Sequence, residues 1–564
     1  MRADDWMIDY LIKQGCTDVF GIPGVVVMDF LYAVDRRKPE ITPHLSYHEQ
    51  GGSFAACGYA QVAGRMGVAY STRGPGFTNM ITAIADAYYD SVPTMFITAH
   101  SAIELNTDMR VLNNQEIDTI CMVKNVTKYA KRIDKLEEFQ KEISLACRLA
   151  NEGRKGPVFL DIYNQLFAKE VDSNFHLNED KIIYKEKYEE VVDKIEEKIQ
   201  ASKRPIILIG NGVRGSEASQ LLDKIAYECN IPILSSRVAQ DIIPNSKMYY
   251  GFVGSRATRY SNFILSKADL IISIGNRMSF PLKSKSFSSI IGKTEIIRVD
   301  IDNAELQKDI PNCLNYQADA LGILDEISKR IIKYEQSSEW ISICDYLREK
   351  LNKWDINSIV DNLMNIMKMS DEDMTYICDV GNHSFWVTTA YAYALVKNRI
   401  LYSGSFGTLG SALPKSIGAY YSTKKPVICF TGDQGIQFNI QELQYISKYQ
   451  LPITIIIINN SSSGMIMERE KAQYGDYLIH TTLDDGYSYP NFEKIALCYD
   501  INYLKVDINR KTQKINEMDL NRPGIIEMIV NRDTELTPRL PIGNPCQNLS
   551  PELPKDLYWQ LDIL

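Results

Sequence analysis

Two residues far apart in the chain carry the strongest chemical signal. Val427-Ile428-Cys429-Phe430-Thr431-Gly432-Asp433-Gln434-Gly435 runs from an apolar stretch into an acid that follows a glycine, and a second apolar stretch, 453–458, closes on Asn459-Asn460. With a helical pattern over 439–446 between them, this predicts a strand, tight turn, helix and strand of about the length a right-handed crossover needs. Parallel strands end on the same edge of a sheet, so Asp433 and Asn460 can reach one point. A carboxylate, an amide oxygen and a main-chain carbonyl near Ser462 then form a hard oxygen set suited to Mg²⁺, with positions left for phosphate oxygens. Amides opening the helix after Gly435 would face the same anion and add the positive end of its dipole. Alone, each residue reads as a helix cap or a turn; the pairing is what points to a metal.

Two further segments have chemical possibilities that their own residues leave open. Residues 44–47 read as a short strand and Gly51-Gly52-Ser53-Phe54-Ala55-Ala56 as the start of a small-residue helix, which puts Glu49 at the turn between them. An acid there is ordinarily a helix-dipole residue. Ile209-Gly210-Asn211-Gly212-Val213-Arg214-Gly215-Ser216 follows a strand and could bring amides to a dinucleotide, but it lacks the full GxGxxG arrangement, as does Gly21-Ile22-Pro23-Gly24. A nicotinamide dehydrogenase is therefore disfavoured.

The elements that must position these groups follow from composition and pattern. The 564 residues are 45% hydrophobic and 24% charged, ordinary globular values that allow three or four units. A net charge of -9 gives no reason for a nucleic acid partner. No apolar stretch reaches membrane-spanning length, and MRADDWMIDY lacks the features of a secretory signal, so a cytoplasmic location is expected. The 11 cysteines contain no C-x-x-C pair and read as free core thiols. Buried strands are predicted at 94–99, 157–162, 205–210, 270–275, 295–301, 427–432 and 453–458, alternating with helical patterns such as 189–199; the class is α/β. Polar intervals at 169–181 and 334–339 divide the chain into units at 1–175, 185–332 and 340–530. The tail, 531–564, carries Pro538, Pro541, Pro545, Pro551 and Pro554 and is predicted to be irregular.

The GDQG run, its helix and the closing Asn-Asn resemble the fingerprint of thiamine diphosphate enzymes. His48-Glu49-Gln50-Gly51, Ser71-Thr72-Arg73-Gly74-Pro75-Gly76-Phe77-Thr78-Asn79, Gly156-Pro157-Val158 with Leu160-Asp161-Ile162, Asp379-Val380-Gly381, and Gly407-Thr408-Leu409-Gly410 with Leu413-Pro414 resemble acetolactate (acetohydroxyacid) synthases in the same order. The likeness spans about residues 5 to 530. It implies three doubly wound parallel-sheet domains: N-terminal pyrimidine-binding, central Rossmann-like and C-terminal diphosphate-binding. It implies thiamine diphosphate and Mg²⁺, with Asp433, Asn460 and Ser462 at the metal and Gln434, Gly435, Asn382 and His383 at the cofactor. Glu49 would protonate the far side of the aminopyrimidine ring so that the ring's own imino group can remove the C2 proton. Leu409 would be the apolar wedge under the bent cofactor, and Gly407, lacking a Cβ, would let a main-chain carbonyl approach the ring amine. Because the family draws the carboxylate and the diphosphate anchor from different subunits, a homodimer or homotetramer is implied. FAD is a further possibility at Gly210, Gly212, Gly275, Arg277 and Asp300; another nucleotide, or nothing, is the alternative.

The sequence also departs from that pattern. Gln434 and Gly435 replace a glycine and a small hydroxyl residue. Met278-Ser279-Phe280-Pro281 offers no arginine to the acceptor acid, and Arg469 stands where a tryptophan is expected. Asn114 replaces a phenylalanine beside Gln115 and Glu116, and His100 replaces a glutamine, so a more polar substrate pocket is expected around His100, Asn114, Gln115 and Arg469. The resemblance implies a carboligase that decarboxylates pyruvate or a related 2-oxo acid and passes the two-carbon unit to a carbonyl acceptor, as in branched-chain amino acid biosynthesis. One alternative is transfer to a nucleotide-linked keto sugar for surface polysaccharide, suggested by the polar pocket and by Asn548-Leu549-Ser550-Pro551, which is similar to relatives with that activity. The others are a 2-oxo acid decarboxylase and a catalytically silent thiamine diphosphate-binding protein.

Overall fold

The computed structural model describes residues 1–101, 110, 114–176, 187–214, 218–279, 287, 290, 292–330, 337–508 and 518–564. Apolar runs that alternate with helices fold into three sheets, each of six parallel strands. The first has the order Thr42–Leu45, Asp18–Gly21, Gly67–Tyr70, Thr94–His100, Val158–Tyr163, Tyr129–Ile133. The third repeats that order with Ile400–Tyr402, Thr375–Cys378, Val427–Gly432, Ile453–Asn459, Gly524–Ile529 and Asn502–Asp507. Central strands such as Ile453–Asn459 are buried throughout, which is why they read as unbroken apolar runs rather than alternating ones.

Contacts divide the chain into two compact units. One holds 1–182, 373–384 and 399–532, with the first and third sheets; the other holds 183–372, 385–398 and 533–564, with the middle sheet. That sheet runs Cys313–Gln317, Glu295–Asp300, Leu270–Ile274, Pro205–Ile209, Ile233–Ser235, Tyr249–Phe252. The tail differs from expectation: Lys555–Asp562 is helical, and Cys546, Leu549 and Leu561 are buried in the second unit. Its last proline, Pro554, precedes that helix and so does not interrupt it. Cys121 and Cys498 are exposed rather than in the core; all 11 cysteines are free. Phe280, Pro281, Gly215 and Ser216, and residues 177–181 and 334–336 of the two polar intervals, lie outside the described residues. Among the described residues no helix is long and apolar enough to cross a membrane.

Within the first unit the two sheets share one hydrophobic cluster, which takes Phe54, Phe77 and Phe96 from one side and Leu413, Ile417 and Ile455 from the other. At its centre the helices Glu49–Ala63 and Ala412–Thr423 meet backbone to backbone. A Cβ on Gly418 would come 1.8 Å from the carbonyl oxygen of Ala55, and one on Gly58 would come 2.2 Å from that of Lys415. This contact fixes the start of the first helix, at Glu49, relative to the elements that carry Asp433 and Asn460. In an exposed helix, replacing glycine with alanine would stabilise by roughly 1 kcal/mol. Here Gly418→Ala is expected to destabilise the protein by ~2 kcal/mol or more, because the added methyl overpacks the crossing. Urea unfolding of the variant checks the sign.

Candidate active site

Val427–Gly432 pairs in parallel with Ile453–Asn459, Gly432 opposite Ile458, so Asp433 and Asn460 leave neighbouring strands at the same edge. Both are buried, as is Ser462. Tyr487 donates its hydroxyl to Asp433 Oδ2 at 2.9 Å. Burial nevertheless pushes the Asp433 carboxyl up to about 7, against the pull of Tyr487 and of the Gln434 and Ser461 amides. The segment after Gly435 differs from the expected α-helix: Gly435–Glu442 is a 3-10 segment kinked at Asn439, and the α-helix Leu443–Lys448 follows. A regular helix dipole therefore does not begin at Gly435. The absence of a side chain at Gly435 has a local cause, since a Cβ there would lie 2.9 Å from Asp379 Oδ2 and 3.0 Å from Thr431 Oγ1.

Asn382 and His383, opening the helix Asn382–Ala394, come to the same edge. A Cβ on Gly464 would sit 2.5 Å from Asn460 Nδ2 and 3.0 Å from Asn382 Nδ2, and one on Gly432 would sit 3.2 Å from His383 Nδ1. Asn382 Nδ2 donates to Glu468 at 3.0 Å. Burial lowers the His383 imidazole to about 4, so the ring is neutral near pH 7. Asn382 Oδ1, His383 Nε2 and Ser462 Oγ are buried without hydrogen-bond partners. Buried polar atoms left unpaired at one sheet edge point to an absent polar ligand. Together with the oxygen set of Asp433 and Asn460, they fit a diphosphate held through a divalent cation.

Glu49 is the first residue of the helix Glu49–Ala63, whose N-cap His48 accepts the Gln50 amide at 3.1 Å. Its Oε2 accepts from Asn79 Nδ2 at 2.9 Å, a residue on the helix Pro75–Asp90. Glu442 supports the turn from the third sheet's side: it accepts the Tyr47 amide at 3.1 Å, and a Cβ on Gly51 would come 2.3 Å from its Oε1. Burial pushes Glu442 up to about 7. Asn439 Nδ2 bridges Gln50 Oε1 at 3.3 Å and the Gly410 carbonyl at 2.8 Å.

Gly407 has φ +76 and open space where a Cβ would stand, so backbone conformation rather than crowding within the chain demands glycine there. Leu409 is half-buried. The turn is held by Asp379, whose two oxygens accept the Gly410 amide at 3.0 and 2.9 Å; Val380 N and Thr431 Oγ1 donate to the same carboxylate. Among the described residues, Glu49 hydrogen-bonds to Asn79 and not to the 407–410 turn.

The expected substrate residues His100, Asn114 and Gln115 lie near one another, since Ser101 donates from its amide to Glu116 at 2.9 Å. His100 is buried, with Nε2 2.8 Å from Asp134 and Nδ1 3.2 Å from Asp161. Asn114 and Gln115 are exposed, and Gln115, at φ +61, lies against the Gly74 turn. Arg469 is exposed on the helix Gly464–Tyr474. The flavin candidates lie in the other unit. Gly210, Gly275 and Asp300 stand at the carboxyl ends of adjacent strands, where Gly210 and Gly212 abut the Gly275 main chain. Arg277 accepts a hydrogen bond from Lys308 through its main-chain oxygen at 3.2 Å.

Sequence reading missed Asn79, Glu442 and Tyr487 as supports of this site. Asn79 and Glu442 fall inside the quoted motifs but carry no spacing rule of their own. Tyr487 reaches Asp433 from a distant loop with no local signal.

Three family models match the chain: the thiamine pyrophosphate enzyme N-terminal TPP binding domain over residues 1–123, the central domain over 192–327 and the C-terminal TPP binding domain over 379–528. The chain is also similar over nearly its whole length to acetolactate synthase large subunits. It is 31% identical over 563 residues to the isozyme 1 large subunit of Escherichia coli (strain K12), covering 96% of both chains. It is 29% identical over 559 residues to the large subunit of Lactococcus lactis subsp. lactis (strain IL1403), covering 95% of this chain and 94% of that one. It is 29% identical over 574 residues to the probable large subunit of Methanocaldococcus jannaschii, covering 97% and 95%.

The Glu442 shift has a measurable sign. Because the folded state holds this proton from its ordinary range near 4.5 up to about 7 while the unfolded chain releases it, stability falls as pH rises through that window and levels off above it. Glu442→Gln is expected to remove this part of the slope, on the order of 3 kcal/mol at most. Urea unfolding of both proteins at about pH 5 and about pH 8 measures it; parallel pH profiles would refute the assignment.

Proposed function

The chain belongs to the thiamine pyrophosphate enzyme family, and from that premise we propose that it is a Mg²⁺-dependent carboligase of the acetolactate synthase kind. It decarboxylates pyruvate or a related 2-oxo acid and transfers the two-carbon unit to a carbonyl acceptor. The observation that carries this reading is the convergence of Asp433 and Asn460 with the unpartnered Asn382 Oδ1, His383 Nε2 and Ser462 Oγ.

Bound thiamine diphosphate supplies the carbon nucleophile and the electron sink for loss of carbon dioxide. The chain's own residues supply the rest. Asp433, Asn460 and the main-chain carbonyl at Ser462 would hold Mg²⁺ and, through it, the diphosphate. Neutral His383 and the Asn382 amide offer their free polar atoms to it, beside Gln434 and Gly435. Leu409 would support the cofactor with its apolar side chain, and the Gly407 carbonyl would accept a hydrogen bond from it. Glu49, whose Oε2 accepts from Asn79, would exchange a proton with the cofactor's ring nitrogen. In our reading a second copy of the chain covers the half-exposed Leu409 and Glu49, giving a homodimer or a dimer of dimers.

Exposed Asn114, Gln115 and Arg469 favour a second reading of the acceptor, a hydroxylated carbonyl compound such as a nucleotide-linked keto sugar. FAD is our proposal for the strand ends at Gly210, Gly275 and Asp300, the usual ligand crevice of an open α/β sheet.

Purified protein given labelled pyruvate, thiamine diphosphate and Mg²⁺ is expected to form acetolactate without a sugar. Carbon dioxide release that requires a keto sugar nucleotide would move the assignment to the second reading. Glu49→Gln is expected to bind the cofactor normally and to lose about 10²-fold or more in turnover. Asp433→Ala is expected to lose Mg²⁺-dependent cofactor retention, measured by calorimetry; undiminished retention would remove the metal assignment. A colourless preparation, with no flavin released on denaturation, would end the FAD proposal.

A further inference from the structure

The 403–410 turn is tied to the first sheet's side of the unit by two acids on one helix face. Asp86 and Asp90 stand four residues apart on the helix Pro75–Asp90, so both present their carboxylates to the same neighbour. Asp90 accepts the amides of Gly404 at 2.8 Å and Ser405 at 2.9 Å. Asp86 Oδ1 accepts the Thr408 hydroxyl at 2.8 Å, while Oδ2 pairs with Lys415 Nζ at 2.7 Å. The ion pair is buried, with side chains 3% and 0% exposed for Lys415 and Asp86.

A buried ion pair adds little stability over an apolar pair of the same volume, so stability is a poor account of its presence. Its geometry supplies a better one. Lys415 neutralises Asp86 and holds it in place, which leaves one carboxylate oxygen aimed at the hydroxyl just before Leu409. The residue just after Leu409, Gly410, is fixed at its amide by Asp379 and at its carbonyl by Asn439. Leu409 is therefore clamped on both sides, from Pro75–Asp90 on one and from the third sheet on the other.

We propose that Asp86 and Lys415 are positioning residues, which act through Thr408 to set the height of Leu409 beneath the cofactor. The inference rests on the thiamine diphosphate reading above and adds to it a requirement that the first sheet's helix hold the third sheet's turn. It also separates two duties: the Asp433 edge retains the cofactor, and the Asp86 pair shapes it.

The test is Thr408→Val, which removes the donated hydrogen bond and leaves the buried ion pair intact, with Thr408→Ser as the rescue. In the cofactor-free protein, amide hydrogen exchange across residues 403–411 is expected to quicken about 10-fold in Thr408→Val and to recover in Thr408→Ser, in line with the loss of one buried hydrogen bond. With thiamine diphosphate and Mg²⁺ added, calorimetric affinity is expected to stay within about 3-fold of wild type, whereas C2 deuterium exchange and kcat fall about 10-fold or more with KM for pyruvate unchanged. Unchanged amide exchange, unchanged C2 exchange, lost cofactor affinity or failure of serine to rescue would each overturn the proposal. If wild-type protein binds no thiamine diphosphate, the functional reading falls and takes this inference with it; binding by wild type with any of the four contrary results sinks the inference alone.

Discussion

The close crossing of the helices Glu49–Ala63 and Ala412–Thr423 is the constraint on which the site depends. Gly418 lets the Ala55 carbonyl approach, and Gly58 does the same for the Lys415 carbonyl, so the two backbones meet without side chains between them. Shape rather than polarity sets that distance. Glu49 starts the first of these helices, and the second follows directly on the turn that carries Leu409. A shift in the crossing would move Glu49 and the 407–410 turn relative to each other within the chain.

Around this apolar contact the protein buries several acids. Asp379, Asp433 and Glu442 are all raised by desolvation, to about 6, about 7 and about 7. Their burial is tolerated because each accepts hydrogen bonds from main-chain amides that would otherwise be unpaired in turns. Asp86 is buried by a different device, a neutralising lysine. Thus the same side chains that shape the turns also determine how this part of the protein responds to pH.

Much of this was legible in the sequence because it depends on local order. The strand at Val427–Gly432 has the predicted limits, and Ile453–Asn459 differs by one residue, since buried parallel strands are written as unbroken apolar runs. Short strands such as Asp18–Gly21 and Ile400–Tyr402 escaped notice; three or four residues give too brief a pattern. His100 illustrates a different limit. Its position after a strand carries no sign that Asp134 and Asp161 stand beside it, because those partners come from other parts of the sheet. Asp86 and Lys415 were silent for the same reason: each is an ordinary helix residue until the two helices meet.

Asp379 lies where three segments of the third sheet meet. A single carboxylate receives Val380 N, Gly410 N and Thr431 Oγ1, and it leaves no room for a side chain at Gly435. Three loops from separate strands are thereby joined into one inherited block. Chimaeras that graft a single one of these loops from a distant homologue would inherit mismatched donors, whereas exchanging all of them together keeps the junction whole. Recombination within this part of the chain is accordingly restricted to seams that leave the block undivided.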